Sequence, residues 1–158
     1  LKKIVLVEAG LLLLLAGVMT LLLLKTEPKD VSIEAVESAF MNKCAFDQME
    51  QAGDMRLKRA FSLNAADYDG YLYFTPNNTM SVDEFLVIKL QEDSQADAVL
   101  SAIDYRLATQ KRNFDGYGVD QTDLLNNATI LQDGNYIVFA VGDGAETWVN
   151  IVRKVWEQ

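Results

Sequence analysis

The sequence predicts an α+β protein: an N-terminal transmembrane helix followed by one domain, an antiparallel-sheet/helix sandwich. Three observations lead there. An almost unbroken apolar run fills 4–24. Short β-rich runs are joined by turn residues, most clearly around Asp133-Gly134. Stretches with three-to-four apolar spacing fall between groups of strands, and that order with hairpin-type connections favours an antiparallel sheet carrying helices.

Within 4–24 the only charge is Glu8, with Lys2 and Lys3 before the run and Lys25 after it. At about 1.5 Å per residue the run makes a helix of roughly 30 Å, the thickness of a bilayer's hydrocarbon core. It outlasts the apolar region of a usual cleaved signal, and no Ala-x-Ala follows it. Leu15-Ala16-Gly17 resembles the start of a lipoprotein processing site, but Val18 follows and has no thiol to take a lipid. The expectation is a retained single-pass anchor over 1–25, a short connector over 26–30 and an extracytoplasmic domain over 31–158. Lys2, Lys3 and the α-amino group, set against Lys25 and Lys29, bias the short tail to the inside of the cell membrane. Gly10 and Gly17, with Ala9 and Ala16, put small residues on one helix face, where another membrane helix can approach closely. Glu8, about one turn inside the hydrocarbon, either pairs with a lysine at the N-terminus or contacts a partner within the membrane.

The chain of 158 residues has 14 Lys plus Arg and 23 Asp plus Glu. Setting aside Lys2, Lys3, Lys25 and Glu8 leaves 11 and 22, a net charge of −11 on residues 26–158. About 130 residues is one ordinary domain with a real core. Its acidity argues against a nucleic-acid partner, which needs clustered positive charge. It also argues against the domain lying flat on anionic lipid. A single cysteine, Cys44, allows no internal disulfide, so the fold must rest on its apolar core. There is no histidine, the commonest general base and metal ligand.

Beyond the connector, a helix is expected over 31–51, where Ile33, Val36, Phe40 and Cys44 recur at helical spacing and Gly53 stops it. A strand is read over 55–62 from Met55, Leu57 and Phe61, a turn or single helical turn over 64–70, and a strand over 71–75 that Pro76-Asn77-Asn78 breaks. The run 84–90 is a strong strand. Asp93 or Ser94 caps the longest helix, to Phe114, with a stripe through Ala96, Val99, Leu100, Ile103, Leu107, Gln110 and Phe114. A short helix fits 119–126. A hairpin over 128–141 turns at Asp133-Gly134, both expected at positive φ. Asp143, with Glu146 three residues on, caps a last helix whose apolar face is Trp148, Ile151, Val152 and Val155.

Recognisable catalytic sets are missing. No histidine can serve a serine or Cys44, no Ser is followed three residues later by Lys, and no Gly-rich phosphate loop occurs. Asp67-x-Asp69-Gly70 resembles the middle of a calcium loop, but with Gly70 at the sixth position the first falls on Ala65 and the twelfth on Pro76, neither an acidic ligand. No metal, no cofactor and no catalytic residue is therefore assigned. The constellation that stands out is Arg106, Gln110 and Phe114, stacked on one helix face, followed by Tyr117. Arg106, Gln110 and Tyr117 are candidates for a patch that grips a ligand or partner. The structural alternative is an Arg paired with a carboxylate and a Gln holding loop backbone.

Four stretches carry a family resemblance: Asp67-Tyr68-Asp69-Gly70-Tyr71, Met80-Ser81-Val82-Asp83-Glu84, Arg106-Leu107-x-x-Gln110-x-x-x-Phe114-x-x-Tyr117, and Asn135-Tyr136-Ile137-Val138-Phe139-Ala140-Val141. From 67 to 155 the chain resembles domain-of-unknown-function family 4358, exported domains of Gram-positive bacteria. Many members look like lipoproteins, whereas here Val18 stands in the cysteine's place, and Val119 stands where members often have Pro. The resemblance implies a membrane-tethered extracytoplasmic α+β domain with no established activity, set beside membrane O-acyltransferase systems that modify surface polysaccharides. The expected function is a non-enzymatic accessory or binding module for an envelope protein or surface polymer. The alternative is a carboxylate-dependent envelope glycan enzyme.

Overall fold

The computed structural model describes residues 31–43, 49–116 and 118–157. The expected anchor and connector, with Glu8, Gly10 and Gly17, lie outside them, as do Cys44 and Tyr117. Among the described residues the chain runs α1 (Ile33–Lys43), β1 (Met49–Gln51), α2 (Asp54–Phe61), β2 (Gly70–Pro76), β3 (Glu84–Lys89), α3 (Ala96–Phe114), α4 (Val119–Asn126), β4 (Thr129–Asp133), β5 (Tyr136–Val141) and α5 (Ala145–Trp156). The fold is α+β. Five strands form one sheet in the order β1-β2-β3-β5-β4, and every neighbouring pair is antiparallel. No described helix is long and apolar enough to cross a membrane.

Helices cover both faces of the sheet, which is why β5 and the middle of β3, Phe85 to Ile88, run as continuous apolar stretches instead of alternating with polar residues. One face carries Tyr73, Leu86, Ile88, Ile137, Phe139 and Val141 under Leu57 and Phe61 of α2, Val99 and Ile103 of α3, and Leu125 of α4. The other carries Leu72, Phe74, Phe85, Val87, Val138 and Ala140 under Val36 and Phe40 of α1 and the apolar side of α5. Alternation of side chains along each strand divides them between the two cores. Burying each of the Leu, Ile, Val and Phe side chains among these contributes about 1.5–3 kcal/mol relative to exposure. Gly70 lets α1 approach β2: a Cβ there would lie 2.9 Å from Ile33 Cγ2. The Tyr136 hydroxyl donates to the Val31 carbonyl at 2.7 Å and ties the start of α1 to β5.

Several local expectations are corrected. The helix over 31–51 is shorter: 49–51 pairs with β2 as an edge strand. The stretch read as a strand over 55–62 is the helix α2. Leu57 and Phe61, four residues apart, are buried on one face, and Met55 is 77 % exposed. Gly53 therefore precedes this helix as its N-cap residue. The long helix opens one residue earlier than expected, through a 3₁₀ turn over Asp93–Gln95 with a capping box between Glu92 and Gln95. In the hairpin Asp133 pairs with Tyr136, so the turn residues are Gly134 and Asn135. Gly134 alone takes positive φ, +57°, the pattern of a II′ turn with Gly first. Gly144, without a side-chain cap, precedes α5, so Asp143 does not cap it.

Candidate functional site

β3 begins with the one carboxylate buried in the described core. Glu84 occupies the strand position that faces α2 and α3, two residues before Leu86, and is 2 % exposed. An ionised carboxylate there requires partners, and it has two. The Tyr73 hydroxyl, from β2 on the same face, donates to Oε1 at 2.5 Å. Arg106 Nε, one helical turn beyond Ile103 on α3, donates to Oε1 at 3.2 Å and to Oε2 at 3.0 Å. The guanidinium also lies over the Phe61 ring, 6.0 Å from its centroid, a cation–π distance.

The electrostatics follow from this packing. Burial, then the Glu84 charge and the hydrogen bond to it, push the Tyr73 hydroxyl well above its usual range, against a smaller opposite effect from Thr75. Tyr73 therefore stays a donor. For Arg106 burial acts downward, and the Glu84 charge and hydrogen bonds outweigh it, leaving a net upward shift. On the same face, burial and then the bond to Asp54 push Tyr71 up to about 12.

The ion pair opens onto a cleft of about 220 Å³ lined by Arg56, Arg59, Ala60, Tyr73, Thr75 and Arg106. Arg56 and Arg59 sit three apart on α2, hence on one face. Thr75 follows Tyr73 by two residues on β2, hence on the same sheet face. Glu50, opposite Thr75 in the β1–β2 register, pairs with Arg56 at the rim, both about half exposed. Among the described residues Arg59 has no hydrogen-bond or ion-pair partner, and no described group bonds the terminal nitrogens of Arg106.

Of the predicted patch, Arg106 is at the centre of this site, paired with a carboxylate as the structural alternative required. Gln110, one turn further along, does not line the cleft. It accepts from Asn113 Nδ2 at 3.4 Å, and among the described residues it holds no loop backbone. Tyr117 is not among the described residues. Sequence reasoning missed Glu84, Tyr73, Thr75, Arg56 and Arg59. The available signal was Glu84 itself, an acid at the head of an otherwise apolar strand, together with the polar Tyr73 and Thr75 spaced by two between apolar neighbours. The Asp67 and Asp69 turn is internally satisfied: Asn64 Nδ2 donates to Asp67 at 3.0 Å, and Lys89 pairs with Asp69 at 3.1 Å. Among the described residues no group of three His, Cys, Asp or Glu side chains is placed to hold a metal ion.

Fold and site together define an α+β domain with helices on both faces of an antiparallel sheet and an arginine-lined cleft over a buried ion pair. The family described as Domain of unknown function (DUF4358) matches residues 42–142, and the chain belongs to that family. The match begins before β1 and stops ahead of α5, earlier at both ends than the expected 67–155. Glu84 and Arg106 come from two of the four stretches that carried the resemblance, and they meet in this ion pair. No curated protein and no solved structure matches the chain.

Proposed function

We infer that this protein is a membrane-anchored, extracytoplasmic accessory module that binds an envelope protein or a surface polymer and is not itself an enzyme. The observation that carries this reading is the state of Glu84. Its oxygens are engaged by Tyr73 and Arg106, which suits a fixed ion that positions a guanidinium and does not suit a free acid or base. The groups that line the cleft beside it are mainly hydrogen-bond donors and cations, the equipment for holding a ligand. The apolar run over 4–24 supports the tether. The family resemblance supports a partner class near polysaccharide O-acylation.

The test is a mild-detergent pull-down of the full-length protein, set beside a version lacking residues 1–25. The expected result is an envelope partner or polymer retained by the full-length protein, with protease added to intact cells digesting the domain. Protection of the domain until lysis would reverse the topology. Release of products from cell-wall glycans, abolished by one Asp or Glu substitution, would replace this reading with the glycan-enzyme alternative.

A further inference from the structure

We propose that the cleft beside Glu84 is an oxyanion site that holds a phosphate or carboxylate group of the module's ligand; this rests on the binding-module reading and names the chemistry it recognises. In a domain of strongly negative net charge, Arg56, Arg59 and Arg106 converge on one depression. Arg106 is anchored through Nε, bonded to both Glu84 oxygens. That fixes the guanidinium plane and leaves its terminal nitrogens for the cleft. A guanidinium edge held this way matches two oxygens of a carboxylate or phosphate in parallel hydrogen bonds. The Glu84 charge is met by Arg106 and the Glu50 charge by Arg56, so Arg59 leaves the cleft net positive. The Arg56–Glu50 pair is exposed at both ends, and such pairs contribute little and exchange easily. A volume of about 220 Å³ is below the roughly 300–1,000 Å³ of sites that enclose drug-sized ligands. It takes one charged group, with the rest of the ligand running over the surface.

The full-length protein in mild detergent is titrated with inorganic phosphate and, separately, with sodium glucuronate, each against sodium chloride at equal ionic strength, and followed by calorimetry. Saturable binding of at least one oxyanion is expected. Losing the Arg59 donors in Arg59→Ala should weaken it about tenfold, the effect of one charge-assisted hydrogen bond. The melting temperature of the free protein should not change. Glu50→Gln should tighten binding by removing a competing carboxylate, a gain that a merely structural role for these arginines would not produce. Arg106→Lys keeps a charge beside Glu84 and loses the fork, and should bind about tenfold more weakly. If that variant does not fold, the Arg59 and Glu50 variants decide. A response to phosphate alone assigns a phosphate-bearing ligand, and to glucuronate alone a uronate-type carboxylate. Heats no larger than those of chloride, or binding untouched by Arg59→Ala, overturn the site. A partner still retained by the Arg59→Ala protein in the pull-down would leave the binding-module reading standing, so the two failures are told apart.

Discussion

The two faces of the sheet are built from the same strands and hold together by different means. On the face under α1 and α5 the contacts are mainly apolar and aromatic, with no buried charge: Phe40 stacks on Phe85 with centroids 4.3 Å apart, and Trp148 meets Phe85 edge-on at 5.9 Å. On the face under α2, α3 and α4 the core is also apolar through Leu86 and Phe139, until Glu84 interrupts it. Glu84 and Phe85 are adjacent residues on one strand, and the pleat sends them to opposite sides. One side spends its burial on stability. The other gives up part of its apolar area to fix a guanidinium at the surface, and the cleft forms where that exchange occurs.

The largest effect should come from the apolar face. Phe85→Ala removes a fully buried ring and its contacts with Phe40 and Trp148, and should cost about 3–5 kcal/mol in chemical denaturation. A loss under about 1 kcal/mol would mean that this face does not carry the fold in the way described.

Arg106→Met comes next. It leaves the Glu84 carboxylate buried with Tyr73 as its remaining partner, and should cost about 3 kcal/mol, the low end for a broken buried pair because the Arg106 side chain is 20 % exposed. Adding Glu84→Leu should recover much of that loss, since a well-packed apolar pair can replace a buried ion pair. A double variant less stable than Arg106→Met would mean that the cost of losing Arg106 is not the unpaired Glu84 charge.

Tyr73→Phe removes one donor to Glu84 and should cost about 1–2 kcal/mol near neutral pH, the range for an unsatisfied hydrogen-bonding group. It also carries a pH signature. The folded-state pKa of Tyr73 lies above the unfolded value of about 10. As pH rises past 10 the unfolded chain releases its proton first, so the Tyr73 contribution is complete below about pH 10 and declines above it. Tyr71 adds a decline between about 10 and 12. Denaturation at pH 8, 10 and 11 should show a shallower alkaline loss in Tyr73→Phe than in the parent protein, and an equal loss would mean that Tyr73 does not contribute to the alkaline sensitivity.

The smallest effect should be Met55→Gln, within about 0.5 kcal/mol by thermal melting, because this side chain is exposed. A strand over 55–62 with Met55, Leu57 and Phe61 facing inward would predict a cost comparable to Leu57→Ala, so this quiet substitution separates that strand from the helix α2.

That segment shows where local pattern runs out. Met55 and Leu57 are spaced by two, and Arg56 and Lys58 fill the alternate positions, so a period of two is available. Leu57 and Phe61 are spaced by four, so a helical period is available as well. Eight residues hold too few apolar positions to separate the two, and the core decided by accepting Leu57 and Phe61 together. The same limit moved β1: Met49, Glu50 and Gln51 have no strand pattern of their own and become a strand because β2 offers an open edge. In the hairpin the glycine was legible, and the register that puts it first in the turn was set by Asp133 facing Tyr136.

The sequence by itself determined what depends on near neighbours along the chain: the apolar strands β3 and β5, the long periodic helix α3, the short helix α4, and the existence of the last hairpin and the last helix. It also determined the acidic character of the domain. Only the tertiary structure decided that Arg106 meets Glu84 across 22 positions, with Tyr73 beneath and Arg56 and Arg59 beside it. Those contacts depend on strand register and on where a helix crosses a sheet. Such placements are settled by packing two cores at once, and no short window of residues encodes them.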